Sequence, residues 1–393
     1  MVPMVPFRVP PDRGTGAAWI RDRQPRSCVG VAIANLSIGE RREAGINAVK
    51  KTEGFVRFRE FETWYSISGD LASGRTPLLY LHGGPGGTSD GFESLDALAE
   101  EGRPVIKYDQ LGGGRSDRPT DPSLWTPDTF VEELATVRRE LGLERVHLLG
   151  ASWGGTLAIE YMLTKPNGVA SLVLHSAPVD WPLMSRELKR LQSELPAGTR
   201  RAMERYERNF KPRSPKSGPH KIKKRLTAKQ IERSARLLAS AVRLMRRPLV
   251  QSVAIKASVV PFLRGLAYQI VGLEFGQRHL LRTEEWPISV MRQFASMNRG
   301  AYEAMWGPTE FFGLGSLKDY DRTSRLHEID VPTLIIHGQY DSITPLQGEV
   351  LRDGIPNSEL VILEDCSHGS VLEKPERYIA VFSEFLSKVD PIT

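Results

Sequence analysis

The residue with the clearest chemical signature is Ser152, in the pentapeptide GASWG at residues 150–154. A short apolar run ends just before this pentapeptide, and an apolar helical pattern opens after it. This is the strand–turn–helix context of a nucleophile elbow, G-x-S-x-G, in which the serine hydroxyl is exposed at a sharp turn. Such a turn strains the backbone of the serine and requires glycine two residues away on either side. The pattern predicts a nucleophile at a helix N-terminus, although a glycine-rich turn with an incidental serine has the same letters.

Two further polar residues follow predicted strands. Asp341 comes after the apolar run 331–338, and His368 comes after the run 359–363. Taken singly, these residues are an ordinary turn-forming aspartate and an ordinary loop histidine. The chain order Ser152, Asp341, His368 is nevertheless the order of a serine triad on a parallel α/β sheet. We predict that His368 is the general base, that Asp341 orients it, and that Ser152 forms an acyl-enzyme which water then hydrolyses.

A glycine-rich loop, HGGPGG at residues 82–87, follows the predicted strand 77–81. A glycine loop after a strand can hold a phosphate, so a nucleotide site is the competing interpretation. The Lys-Ser/Thr pair of a P-loop does not follow, however. The loop fits the segment that donates a second oxyanion N–H beside the nucleophile. We interpret the glycine cluster at 112–114 as structural packing beside the elbow.

The elements around these residues predict an α/β fold. Alternating apolar residues after Gly54 indicate two antiparallel strands, and short apolar strands then alternate with helical patterns such as 126–141. This alternation implies a mostly parallel sheet with helices on both faces. From Asp180 to about residue 314, only helical patterns are found.

The predicted domain organisation is an α/β-hydrolase core with an inserted all-helical cap. The core comprises residues 49–180 and 315–393, and the cap comprises residues 181–314. Residues 1–48 are rich in Pro, Arg and Gly without a sustained period, so we predict a disordered or loosely attached extension, or sequence upstream of the natural start.

Composition narrows the class of protein. The chain has 393 residues, of which 40% are hydrophobic and 25% are charged, as in ordinary globular proteins. Its two cysteines, Cys28 and Cys366, are far apart, which gives neither a disulfide framework nor metal-ligand spacing. We predict no metal and no cofactor. The cysteine usage favours a reducing, cytoplasmic setting, and we expect neither a signal peptide nor a membrane-spanning helix, because no continuous apolar stretch of the required length is found.

Charge is distributed unevenly along the chain. Residues 186–264 contain 22 Lys/Arg and 5 Asp/Glu, a local balance of 22 − 5 = +17, so the remainder carries 6 − 17 = −11. Within this stretch, a capping-box pattern at Thr227 opens a helix whose apolar face opposes several arginines. The basic face of the segment 221–247 is therefore predicted either to face solvent or to make a weak contact with an anionic membrane. The apolar stretch 249–275 is predicted to form buried or pocket-lining helices.

Together these motifs resemble the prolyl aminopeptidase (proline iminopeptidase) family of α/β hydrolases. The resemblance covers about residues 54–213 and 274–388, and its motifs are HGGPG (82–86), DQLGGGRS (109–116), GASWGG (150–155), GQYD (338–341) and CSH (366–368). The chain is most similar to the tricorn-interacting aminopeptidase branch, on HLLRTEEWP (279–287), GPTEF (307–311) and KDYD (318–321).

The resemblance implies further site residues. The N–H groups of Gly84 and Trp153 would form the oxyanion hole, and Glu310 would bind the free amino group of a substrate. The family carries a second carboxylate whose position here is Ile270. Glu274, one turn later on the same helix face, is predicted to replace it.

Three functions follow as hypotheses. The first is a serine hydrolase that releases an N-terminal amino acid, proline among the candidates, from peptides or aminoacyl amides. The second is an esterase, lactonase or amidase acting on a neutral apolar acyl group. The third is a protein that binds a membrane or nucleic acid through its basic segment. The complete set Ser152, Asp341 and His368 argues for catalysis, and the scarcity of aromatic residues among the basic ones argues against single-stranded nucleic acid.

Overall fold

The computed structural model describes residues 18–19, 49–211, 222–223 and 225–390. Its strands are β1 (Ala18–Trp19), β2 (Lys51–Phe58), β3 (Phe61–Ser68), β4 (Leu78–Leu81), β5 (Val105–Tyr108), β6 (Arg118–Pro119), β7 (Val146–Ala151), β8 (Val169–His175), β9 (Ile222–Lys223), β10 (Thr333–Gly338) and β11 (Ser358–Leu363). Its helices are α1 (Ala97–Glu100), α2 (Pro127–Glu140), α3 (Trp153–Leu163), α4 (Trp181–Ser193), α5 (Ala197–Asn209), α6 (Ala228–Met245), α7 (Pro248–Ala257), α8 (Arg264–His279), α9 (Ile288–Ser296), α10 (Arg299–Met305), α11 (Pro345–Gly354), α12 (Ser370–Glu373) and α13 (Pro375–Val389).

One large sheet organises the core. The strand order within the described residues is β1-β11-β10-β8-β7-β4-β5-β3-β2. All neighbours from β1 to β5 in this order are parallel, whereas β5–β3 and β3–β2 are antiparallel. The central strands β4, β7 and β10 are buried along their whole length, as expected for parallel strands covered by helices on both faces. The predicted mostly parallel α/β sheet is confirmed.

Local sequence signals explain the helix starts. Thr126 caps α2, its side chain accepting the Thr129 N–H, with a proline in the first turn. Thr227 and Gln230 form the predicted capping box at α6. The apolar face of α6 faces inward, since Ile231 and Val242 are buried. Asp180 caps α4, its side chain accepting the Leu183 N–H.

Helices dominate the region between the two parts of the core. Helices α4 to α10 fall within the predicted cap, residues 181–314. The expectation of an all-helical cap needs one correction, because β9 pairs antiparallel with β6 over two residues. This pairing joins the cap to the loop that follows β5, and it is too short to show as an alternating pattern in the sequence.

The described residues contain little of the predicted extension 1–48. Ala18 and Trp19 form the short strand β1, which pairs with Val361 and Ile362 of β11. The other residues up to 48 lie outside the described part of the chain, as do residues 212–221.

Candidate active site

Ser152 occupies the turn between β7 and α3. Its backbone has φ 55° and ψ −124°, a left-handed conformation that a residue with a Cβ atom rarely adopts. The turn is tight enough to require glycine on both sides. A Cβ atom at Gly154 would lie 2.1 Å from the Leu81 carbonyl oxygen, and one at Gly150 would lie 2.3 Å from the Gly154 oxygen. The strained elbow expected from the pentapeptide is therefore present.

Asp341 and His368 meet at the carboxyl ends of β10 and β11. The two residues share a hydrogen bond, with His368 Nδ1 2.8 Å from Asp341 Oδ1. The same oxygen accepts the Ile343 N–H at 2.8 Å, which fixes the carboxylate. His368 and Ser152 line one cavity of about 130 Å³, so the three predicted residues converge at one edge of the sheet.

The electrostatics of the pair favour a charged aspartate beside a basic histidine. Burial alone would raise the pKa of Asp341, but attraction to His368 and hydrogen bonds with His337 and His368 hold it well below its usual range. Burial alone would lower the pKa of His368, but its attraction to Asp341 and the hydrogen bond that its Nδ1–H donates to that carboxylate outweigh burial, so the pKa is raised. The charge of Glu310 raises it further. His368 is thus a stronger base than an ordinary histidine.

The glycine loop after β4 lies against the elbow. Gly84 lines the same cavity as Ser152, and Trp153 begins α3, where the first N–H groups of a helix have no acceptor within the helix. Gln110 joins the two elements, since its side chain donates to the His82 carbonyl and accepts from the Trp153 indole N–H. These contacts hold the loop that carries Gly84 against the turn of Ser152 and Trp153, and the role of their N–H groups as oxyanion donors stays a prediction.

Glu310 also lines the catalytic cavity. Its carboxylate accepts a hydrogen bond from the hydroxyl of Tyr302, a buried residue of α10. Burial, followed by the charge of Glu310, raises the pKa of the Tyr302 hydroxyl well above its usual value, so Tyr302 stays protonated and donates. The structure therefore brings Glu310 to Ser152, as the sequence resemblance implies.

The prediction for Glu274 is corrected by the structure. Its carboxylate accepts a hydrogen bond from Thr199 of α5 at 2.8 Å and pairs with Arg278 at 2.9 Å. Glu274 is absent from the residues that line the catalytic cavity, whereas Glu310 is among them. Helix spacing correctly indicates that Glu274 and Ile270 share a face, but this part of α8 packs against α5.

One histidine near the site, His175, was not found from the sequence. His175, the last residue of β8, lies with Nε2 3.1 Å from the His368 carbonyl oxygen. Burial and the nearby His368 lower the pKa of His175 to about 3, so it is a neutral donor. Its position at the carboxyl end of a strand, at the same sheet edge as Asp341, was an available signal.

His279, the last residue of α8, ties the cap to both catalytic loops. Its backbone carbonyl accepts the N–H of Ser342 at 3.0 Å and that of His368 at 3.2 Å. The next carbonyl, that of Leu280, accepts the Gly369 N–H at 2.8 Å. A helix C-terminus leaves its last carbonyls without partners inside the helix, and here they bind the loops that carry Asp341 and His368.

The basic segment predicted for membrane contact lies away from the triad. The arginines 233, 236 and 243 on α6 are exposed, as is Leu244. In the described part of the chain, no helix has both the length and the apolarity needed to cross a bilayer. The contact with an anionic surface stays a prediction.

Comparisons with known proteins agree with this geometry. Residues 76–217 match the family model described as the alpha/beta hydrolase fold. The proline iminopeptidase of Heyndrickxia coagulans is 36% identical over 340 residues, covering 86% of this chain and 97% of that protein. The proline iminopeptidase of Lactobacillus helveticus is 36% identical over 347 residues, covering 86% and 98%.

Solved structures give the same result. The proline iminopeptidase of Mycobacterium smegmatis superposes with a TM-score of 0.67 at 31% identity, covering 86% of this chain and 99% of that one. VinJ superposes with a TM-score of 0.69 at 28% identity, with the same coverage of 86% and 99%. The resemblance seen in the sequence motifs is confirmed at the level of the family. This chain is an α/β-fold serine hydrolase and belongs to the proline iminopeptidase family.

Proposed function

We propose that the protein releases an N-terminal amino acid, with proline preferred, from peptides or aminoacyl amides. The observation that carries this proposal is the carboxylate of Glu310 in the same cavity as Ser152 and His368. A free ammonium group held by Glu310 would place the adjoining carbonyl carbon within reach of the nucleophile. The names of the relatives support proline as the residue released.

Glu310 needs a positive partner that the described residues do not supply. A carboxylate in partly apolar surroundings costs desolvation energy unless it is paired. Tyr302 gives it one hydrogen bond, but no Lys or Arg of the described ranges forms an ion pair with it. Arg282, one candidate for a purely structural partner, stacks on the Tyr340 ring at 4.1 Å. A substrate ammonium group is therefore the fitting counter-charge.

A small pocket beside the nucleophile fits a compact side chain. It has a volume of about 30 Å³, touches both Ser152 and Glu310, and is walled by Trp181, Met184 and Trp306. These walls are buried and apolar. A proline ring would fill such a space with apolar contacts, whereas a long or charged side chain would not be accommodated.

The reaction follows from the placement of the groups. His368 accepts the proton of Ser152 as its oxygen attacks the carbonyl carbon, and the N–H groups of Gly84 and Trp153 stabilise the oxyanion. Protonated His368 then gives its proton to the departing amine as the C–N bond breaks. Water, activated by the same histidine, hydrolyses the acyl-enzyme and releases the amino acid.

Glu310→Gln tests this assignment. We expect kcat/KM for prolyl amides to fall by the equivalent of about 2–4 kcal/mol, as for an unpaired buried charge. N-acetylprolyl amides should react poorly with the wild type and lose little more in the variant, because they carry no ammonium group. Glu60→Gln, at an exposed glutamate between β2 and β3 that lies outside the cavity lining, is the matched control. If the wild type turns over blocked and free substrates equally, the aminopeptidase proposal is wrong and the neutral-acyl esterase alternative replaces it.

A further inference from the structure

A second, larger cavity opens in the cap next to the catalytic one. Its volume is about 400 Å³, the size of a site for a drug-sized ligand. It shares six lining residues with the catalytic cavity, namely Leu280, Trp286, Phe294, Met297, Tyr302 and Glu310. The two cavities therefore meet along a common wall that begins at the proposed ammonium site.

The inner wall of this cap cavity is apolar. Leu238, Val242 and Met245 of α6 face it on one side, and Leu273 and Phe311 face it on the other. Two polar side chains inside it, Tyr268 and Thr309, already have partners, since their hydroxyls lie 3.1 Å apart and Tyr268 also donates to Glu207. The interior thus offers few free hydrogen-bonding groups.

Apart from Tyr302 and Glu310 on the shared wall, the remaining polar residues of the lining are at the solvent side. Ser234, Gln269, Arg299 and Glu303 all line the cavity and are all exposed. An apolar interior with a polar outer edge matches a ligand whose buried part is hydrocarbon. A peptide placed there would bury N–H and C=O groups without acceptors or donors, which is costly.

We propose that the cap cavity receives the leaving group of the substrate and that this group is a bulky apolar amine rather than a hydrophilic peptide. The proposal rests on the function above, with the ammonium at Glu310 and the acyl carbon at Ser152. The small pocket limits the size of the side chain of the released amino acid, because its volume is only about 30 Å³. The leaving amine, in contrast, can extend through the catalytic cavity into the cap cavity.

The reaction balances without any co-reactant. An aminoacyl amide of an apolar amine gives its acyl group to Ser152, the C–N bond breaks, and His368 protonates the released amine. One water then frees the amino acid. The same steps occur with a short peptide, so the cap cavity changes the preference among substrates and not the chemistry.

The test compares prolyl amides of butylamine and octylamine in the full-length protein. The two amines have nearly equal basicity, so intrinsic reactivity is matched and only the buried length differs. Each buried methylene is worth about fourfold in binding, and we expect kcat/KM to rise on the order of a hundredfold from butyl to octyl. An amine of octyl length with two ether oxygens should lose most of this gain.

Two substitutions on α6 locate the effect. Leu238→Glu places a charge in the cavity wall and should lower the octyl-to-butyl ratio of kcat/KM at least tenfold. Leu238→Trp narrows the cavity without adding a charge. It provides the same test if Leu238→Glu does not fold. Leu237→Glu is the matched control, because Leu237 is 66% exposed and lies outside the cavity lining. It should leave the ratio unchanged.

The outcomes separate this inference from the proposed function. If no prolyl amide is hydrolysed, the proposed function fails first. If prolyl amides are hydrolysed but the octyl and ether amides react like the butyl amide, the function stands and the cap-cavity proposal is overturned. The proposal is equally overturned if long side chains on the amino acid, rather than on the amine, accelerate the reaction.

Discussion

The hydroxyl of Tyr302 donates a hydrogen bond to the carboxylate of Glu310 at the point where the catalytic cavity and the cap cavity meet. Tyr302 belongs to α10 and Glu310 to the loop that follows it. The bond fixes one carboxylate oxygen and leaves the charge uncompensated. It therefore orients Glu310 for an ammonium group without replacing that group.

Tyr302→Phe should weaken recognition of free-amino substrates. The loss of one hydrogen bond to a charged group is worth about 1.5–3 kcal/mol, so we expect kcat/KM for prolyl amides to fall roughly 10- to 100-fold. The effect should appear mainly in KM, because Tyr302 positions the binding carboxylate and does not touch the reacting atoms. Steady-state kinetics separate the two constants. A fall in kcat with KM unchanged would show that Tyr302 acts on the chemical step.

Ser152→Ala should abolish turnover and preserve the fold. Triad loss typically costs on the order of a millionfold in kcat, and alanine adds no volume at the strained turn. Ser240→Ala, an exposed serine of α6, is the control and should retain full activity. Activity and thermal melting are measured on the same preparations. Retention of more than about a thousandth of wild-type kcat in Ser152→Ala would contradict its role as nucleophile.

The fall of kcat/KM at low pH should reflect protonation of His368. Because Asp341 and Glu310 raise the pKa of His368, the histidine stays protonated to a higher pH than an ordinary one, and activity is lost from that higher pH downward. In Glu310→Gln one source of the raised pKa is gone, so the fall of kcat/KM should move to lower pH. The measurement is kcat/KM against pH for both proteins. If the pH at which kcat/KM falls is the same in both proteins, a group other than His368 controls it.

Glu133 should make the protein less stable at higher pH. Burial raises the pKa of this core carboxyl to about 7, against 4.5 in the unfolded chain, even though it accepts hydrogen bonds from Leu111 and Thr63. The folded state thus holds the proton more tightly, and stability falls as the pH rises from about 4.5 to 7, by about 3 kcal/mol from this group. Denaturant unfolding of wild type and Glu133→Gln at pH 5 and pH 8 tests the difference. The wild type should lose more stability between the two values, and equal losses would contradict the raised pKa.

The sequence was sufficient to predict the sheet, the elbow and the three residues at its edge. Each of these depends on local patterns: apolar runs of strand length, glycines around Ser152, and polar residues directly after strands. The order of Ser152, Asp341 and His368 along the chain follows from the order in which the chain forms the strands that carry them.

The features that the sequence did not predict depend on which surfaces pack together in the folded protein. Glu274 and Ile270 share a helix face by spacing, but spacing does not show that this face meets Thr199 rather than the substrate cavity. Tyr302 and His175 act through single hydrogen bonds to residues brought near only by tertiary packing. The two-residue pairing of β6 with β9 is too short to produce any periodicity.

The attachment of the cap through the carbonyl of His279 has a consequence for how the protein can open. Ser342 and His368, one in each catalytic loop, bind this single oxygen. A swing of the cap that moved His279 would break both of these hydrogen bonds. An opening motion that keeps them must leave the end of α8 in place, beside the loops that carry Asp341 and His368.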